Sequence, residues 1–188
     1  MKVVATIEAR MTSSRLPGKP LLLADNKSMI EHLSSRLKTI PIIDEIILAT
    51  TINPQDQPLV DEAKKNDIGV FRGDEDNVMQ RVIGAAESSR ADVIVEITGD
   101  CPIIDPVIVK ESIKIYLMND YDYVSNARIR SYPDGMDTQV FSLETLKKSY
   151  SMTQSKLDYE HVTLHIRNNP NAFSHFDMVA SEDLYWPE

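Results

Sequence analysis

Residues 10–20, RMTSSRLPGKP, hold Arg10, Arg15 and Lys19, the hydroxyls of Ser13 and Ser14, and Gly18, without a single carboxylate. The whole chain carries a formal net charge of −9. A cationic, glycine-bearing loop in an acidic chain has the make-up of an anion site. Backbone N–H groups and hydroxyls donate to oxygens, arginine offers forked contacts to phosphate, and lysine adds a mobile point charge. A solvated basic turn is the alternative reading of the same residues. The loop is not a Walker A loop, because RLPGKP lacks the first glycine and puts Pro20 where a hydroxyl residue follows the lysine.

The partner in charge is Asp100, in EITGDCPIID (96–105). Mg²⁺ prefers one or two carboxylates together with substrate phosphate oxygens, so a carboxylate facing a basic loop suits a metal that brings phosphates into register. A plain turn aspartate is the alternative. Asp105 is read as the cap of the next helix. Cys101 has no base beside it and reads as an inert small residue.

Three further clusters carry polar chemistry. In RGDEDNVMQR (72–81), the residues Asp74, Glu75, Asp76 and Asn77 precede a helix and fit its N-cap and dipole, while Arg72 and Arg81 flank the turn within reach of a base or ribose. SNARIRSYPDGMDTQVF (125–141) contains the turn signature YPDG, with Asp134 and Asp137 around it and Arg128 and Arg130 upstream. It reads as a substrate lip or as a plain hairpin connection. DYEHVTLHIRNNP (158–170) reads as one helix, on which His161 and His165 share a face and Glu160 and Arg167 lie within two turns. It lacks the HExxH pattern of a zinc site, and a structural or substrate-facing role is the better reading.

The elements that must position these groups alternate. Strands are predicted at 3–9, 45–51, 69–73, 92–100, 121–127, 138–142 and 175–180, and helices at 28–40, 57–67, 77–90, 106–120, 143–152 and 158–170. Strand–helix–strand alternation over the first ~120 residues implies right-handed βαβ units and a mainly parallel central sheet with helices on both faces, an α/β fold. Ligands of such sheets sit beyond the carboxyl ends of the strands, where both the basic loop and Gly99-Asp100 fall. With 188 residues, the chain reads as one domain. No apolar run approaches the ~20 residues that span a bilayer, the start does not read as a signal peptide, and one cysteine makes the cytoplasm the default compartment. The acidic balance argues against a nucleic-acid partner.

The motifs together resemble a known group. IEARMTSSRLPGKPLL is similar to the signature loop of the sugar-acid cytidylyltransferases, ARxxSxRxPGK, a group that includes the 3-deoxy-manno-octulosonate and acylneuraminate enzymes. ITGDCPIIDP resembles their GDxP metal segment. RGDEDNVMQR, YPDGMDTQVF and EHVTLHIRNNPNAF resemble the SpsF-like subgroup, named for spore coat polysaccharide biosynthesis. The resemblance runs over essentially the whole chain.

It implies a Rossmann-like nucleotidyltransferase domain that uses CTP and Mg²⁺, transfers CMP to a sugar acid or related acceptor, and releases pyrophosphate. Arg10, Ser14, Arg15 and Lys19 would hold the triphosphate, Ala9 would give backbone near the cytosine, and Asp100 would bind Mg²⁺. Arg72, Asp76 and Arg81 match base- and ribose-contacting positions loosely. The lip with Tyr132, Asp134 and Asp137, joined by Glu160 and His161, would face the acceptor. Arg10, Lys19 and Asp100 would carry catalysis. Members are often homodimers, and they usually continue past this point through a segment resembling TVDxPED that supplies a second metal carboxylate. Because the sequence given stops at DLYWPE, the expectation is a domain over 1–188 lacking that segment, with Asp134 or Asp137 as stand-ins. A phosphate-bearing acceptor and a nucleotide-binding homologue without turnover are the other readings.

Overall fold

The computed structural model describes every residue except Ser14, Arg15, Asp183 and 186–188. The chain runs β1 (Val3–Glu8), a hairpin of β2 (Leu23–Ala24) and β3 (Lys27–Ser28), α1 (Met29–Leu37), β4 (Glu45–Thr51), α2 (Gln57–Lys65), β5 (Gly69–Gly73), α3 (Val78–Ser88) and β6 (Val93–Thr98). It continues through α4 (Pro106–Met118), β7 (Tyr123–Ser125), β8 (Gln139–Ser142), α5 (Leu143–Met152), α6 (Lys156–Glu160), α7 (Leu164–Asn168) and β9 (His175–Asp177). Short 3₁₀ turns at Lys19–Leu21 and Pro54–Asp56 complete it.

Seven strands form the central sheet in the order β5-β4-β1-β6-β8-β7-β9. The first four are parallel, β8 runs against both its neighbours, and β9 is parallel to β7. This is the mainly parallel α/β sheet that the alternation predicts. From β1 the chain builds outward to β5, then returns to place β6 on the other side of β1. The order therefore reverses between β1 and β6, and a crevice opens there at the carboxyl ends.

Alternate β1 residues feed two apolar layers. Val3, Ala5 and Ile7 pack with Ile30, Leu33, Leu59, Val109 and Ile113 of α1, α2 and α4. Val4 faces Met79, Val82 and Leu146 of α3 and α5. On that second face the strand turns polar toward its end, through Thr6 to Glu8. Caps sit where the sequence puts them: the Ser28 hydroxyl accepts from Glu31 N at 3.0 Å, and Asp105 from Val107 N at 2.7 Å.

Two expectations change. The helix predicted over 158–170 is broken into α6 and α7 by a turn at 161–163. The break buries Val162 in the core and lets the Thr163 hydroxyl donate to Gln139 Oε1 at 2.6 Å. Tertiary contacts outweigh continuation through two β-branched residues, which form helix poorly. The β2–β3 hairpin is an addition to the predicted elements; Asp25 and Asn26 both take positive φ, 49° and 61°, as a tight two-residue turn requires.

Gly99 fixes the spacing at the crevice. Its N–H donates to Glu8 O at 2.9 Å, and a Cβ there would stand 2.8 Å from both Glu8 O and the Ala9 side chain. Gly99→Ala is expected to cost about 1–3 kcal/mol as an overpacked contact. Urea unfolding checks this, and an unchanged midpoint contradicts the close-approach argument.

Candidate functional site

The loop after β1 is held by acids supplied from other elements. Met11 N donates to Asp56 Oδ1 at 2.7 Å, and Gly18, at φ 73°, closes the loop by donating to Met11 O at 2.9 Å. Glu75 is the main clamp. It accepts from the Thr12 hydroxyl at 2.7 Å and from Asn53 Nδ2 at 2.5 Å, and lies 3.3 Å from the Arg10 guanidinium. Those two hydrogen bonds, with Arg10 adding to them, hold the Glu75 carboxyl below its usual range. Capping of α3 falls instead to Asn77, whose side chain accepts from Gln80 N at 2.9 Å, and Asp74 accepts from the N–H groups of Asp76 and Asn77.

Lys19 Nζ lies 3.2 Å from Asp100 Oδ2, and Asp100 Oδ1 accepts from the Thr98 hydroxyl at 2.7 Å. Burial pushes the Asp100 carboxyl up, but the Thr98 hydroxyl and the Lys19 ammonium outweigh it and keep the group below the usual carboxylate range. The loop and the end of β6 thus face each other across the crevice. Among the described residues no cluster of three or more His, Cys, Asp or Glu side chains stands ready to cage a metal. A lone, half-exposed carboxylate fits a metal shared with substrate oxygens. Cys101 is buried and its thiol is pushed up to about 12 by that burial, in keeping with an inert residue.

Two connected hollows occupy the crevice. One, of about 470 Å³, lies against Arg10, Lys19, Gly99 and Asp100. The other, of about 390 Å³, is lined by Arg81, Asp137, His161 and Arg167 among others. Glu8, Ala9, Arg10, Thr98 and Glu160 border both.

The structure brings together most of the residues singled out in the sequence. Ala9, Arg10, Lys19, Arg81, Asp100, Asp137, Glu160 and His161 all line this space. Ser14 and Arg15 fall outside the described residues. Asp76 lines a neighbouring groove of about 510 Å³ with Arg10, Lys156 and Tyr159. Arg72 is spent on structure: it donates to Thr51 O at 2.8 Å, Asn53 O at 2.7 Å and Gln57 at 3.0 Å, bracing the turn that carries Asp56. Arg81 is buried and donates to the carbonyls of Ala49, Asp74 and Glu75. Asp134 pairs with Arg130 at 3.2 Å on the exposed rim, and neither it nor Tyr132 lines either hollow. The helix break separates the two histidines, and His165 sits 3.4 Å from Asp158, away from the cavity.

A buried polar group lies beside the residues singled out in the sequence. Glu8 pairs with Thr98, and Glu96 with Thr6, in the β1–β6 register, so the two glutamates share a face as diagonal neighbours. Glu96 accepts from Gln139 Nε2, and Gln139 Oε1 in turn accepts from the Tyr123 and Thr163 hydroxyls. Both Glu8 oxygens are buried, with the Thr6 hydroxyl and the Glu96 carboxyl as the hydrogen-bonding groups beside them. Burial, and then the neighbouring Glu96, raise the Glu8 carboxyl well above its usual range, while burial lifts Glu96 to about 7. The signal was present in the sequence: one glutamate interrupting VIVEIT, otherwise the reading of a fully buried strand.

A mainly parallel sheet whose order reverses at a crevice, with a cationic loop on one side and a carboxylate on the other, is the architecture of the α/β nucleotidyltransferase fold. A model of the cytidylyltransferases matches residues 4–185. The chain is 36% identical over 184 residues to an uncharacterized protein, MJ1063, of Methanocaldococcus jannaschii, covering 98% of this chain and 74% of that one. It is 31% identical over 193 residues to the spore coat polysaccharide biosynthesis protein SpsF of Bacillus subtilis, covering 99% and 78%. A solved cytidylyltransferase from Leptospira borgpetersenii superposes with a TM-score of 0.94 at 33% identity, over 97% of this chain and 78% of that one. The chain belongs to the cytidylyltransferase family.

The raised Glu96 carboxyl has a consequence for stability. Its folded value of about 7 exceeds the ordinary 4.5, so between those values the folded protein keeps a proton that the unfolded chain releases. Stability therefore falls as pH rises through that window. Glu96→Gln, which removes the titration, is expected to raise the thermal midpoint by a few degrees at pH 8 relative to the native chain, on the order of 1 kcal/mol or more. At pH 4 the gain disappears. Thermal melts of both proteins across this range check it, and a gain that is the same at both ends contradicts it.

Proposed function

We propose that this chain transfers CMP from CTP to an oxygen of a sugar-acid acceptor, releasing pyrophosphate, in the synthesis of a cytoplasmic precursor for polysaccharide. The observation that carries this reading is the pairing of Lys19 with Asp100 across the crevice, beside a cavity large enough for a small acceptor. The triphosphate would lie along the loop of Arg10, Ser14, Arg15 and Lys19, with Ala9 and Asp76 toward the nucleoside and Arg81 behind them. Asp137, Glu160 and His161 would face the acceptor. Mg²⁺ would be held by Asp100 together with phosphate oxygens and, when bound, supplies charge neutralisation.

In the reaction an acceptor hydroxyl releases its proton to solvent and its oxygen forms a bond to the α-phosphorus while the bond to the bridging oxygen of the β-phosphate breaks. The pyrophosphate takes the electron pair. The protein's own contribution is position and charge: the basic loop draws negative charge toward the leaving group and aligns it away from the acceptor cavity. Fixed donors aimed at developing charge contribute ~10²–10³ in rate each.

Two measurements test this. In a nucleotide panel with Mg²⁺, CTP is expected to raise the thermal midpoint more than ATP, GTP or UTP. Lys19→Ala is expected to abolish that shift and to lower pyrophosphate release by ~10²-fold or more. A CTP shift that survives in Lys19→Ala sinks the phosphate-loop assignment. Silence across a panel of sugar acids, with CTP binding intact, favours a nucleotide-binding homologue without turnover.

A further inference from the structure

Asp100 differs from Asp74 and Asp105 in what holds it. Those two spend their carboxylates on backbone N–H groups of their own turns. Asp100 is held chiefly by two side chains: Thr98 donates its hydroxyl to Oδ1 at 2.7 Å, and Lys19 Nζ reaches Oδ2 at 3.2 Å. Thr98, Asp100 and Lys19 all border the 470 Å³ hollow beside the basic loop.

The turn does not need this hydroxyl for its shape. Its backbone is fixed by hydrogen bonds from Gly99 N to Glu8 O at 2.9 Å, Cys101 N to Thr98 O at 3.2 Å and Ile104 N to Cys101 O at 3.1 Å. Nor does the core need the side chain, because Thr98 is the exposed last residue of β6, after five buried ones. A threonine hydroxyl has a single proton to give. The carboxylate paired with Lys19 only accepts, so that proton goes to Asp100. Toward the Cys101 sulfur, 3.3 Å away, Thr98 can then only accept, and the buried thiol donates. The hydroxyl is thus directed from behind and aimed at one oxygen of one acid. A carboxylate otherwise turns easily about its last bond, a broad torsion. Thr98 removes that freedom by holding Oδ1, and so commits Oδ2 to the side of the loop. An anion can draw Lys19 off Oδ2 without disturbing the bond to Oδ1.

We propose that Thr98 is a positioning residue for the divalent cation: its hydroxyl fixes the Asp100 carboxylate so that Oδ2 is presented to the cation when Lys19 turns to phosphate. This rests on reading the crevice as the CTP site and Asp100 as its metal ligand. Groups that orient a ligand without touching the metal contribute about 10–100-fold to metal affinity.

The test measures the gain that Mg²⁺ gives to CTP binding, as the calorimetric CTP affinity of the full chain with Mg²⁺ divided by its affinity in EDTA. In Thr98→Val, which keeps the shape and removes the hydroxyl, this gain is expected to fall by about 10-fold or to vanish, while CTP affinity in EDTA stays within about twofold of the native value. Thr98→Ser, which keeps the hydroxyl, is expected to retain the native gain within about twofold. Thr98→Ala repeats the loss and guards against a valine that disturbs the strand end. A purely structural role would lower both affinities together and leave their ratio intact, and that result overturns the proposal. So does a gain that survives in both Thr98→Val and Thr98→Ala, or one lost equally in Thr98→Ser. CTP binding to the native chain that Mg²⁺ does not strengthen overturns it as well. Absence of CTP binding by the native chain under either condition sinks the transferase reading itself, whereas CTP binding with the gain intact in the variants sinks this inference alone.

Discussion

The site depends on how closely two strands end. Where β1 and β6 finish side by side, Gly99 N meets Glu8 O at 2.9 Å, and no side chain fits between Gly99 and Ala9. That contact sets the gap across which the loop after β1 faces the turn after β6. It exists because the chain reverses its building direction between these two strands. Sheet topology, one glycine and one backbone hydrogen bond thus give the geometry, and charged side chains occupy it.

The loop's positive charge is balanced within the fold. Glu75, Asp56 and Asp100 arrive from three separate turns, and each holds one part of the loop. Arg72 acts one step further back, bracing the turn from which Asp56 reaches Met11. An acidic chain with a basic loop is consistent on these terms. The acids fix the described parts of the loop before any ligand arrives, so little reorganisation of its backbone there is left to the moment of binding.

Most of this was legible in sequence, and the misses have physical causes. The parallel half of the sheet could be read because β-branched runs alternate with amphipathic helices. Asp100 and Lys19 could be placed together because both lie just beyond strand ends. The single helix over 158–170 failed because periodicity is a local signal, and the turn at His161 is imposed by Val162 and Thr163 finding distant partners. Arg72 looked like a ligand residue because a cation beside a turn gives no sign of whether backbone carbonyls will claim it. Glu8 and Glu96 escape a strand reading because it attends to apolar residues, whereas an acid inside a buried run marks a polar group that the fold must partner.

The contact between Lys19 and Asp100 has a thermodynamic side. The group suited to an anion and the group suited to a cation spend the empty state on each other, at 3.2 Å. An anion that draws Lys19 away exposes Asp100, and a cation that takes Asp100 releases Lys19. Either arrival spares the other the cost of breaking the same contact, so the two affinities rise together and by the same factor. The pair is about half exposed, which keeps the coupling small and salt-sensitive. Its effect is still directional: a pre-formed complex of cation and anion meets a site that opens to both at once, while each alone meets one already half closed.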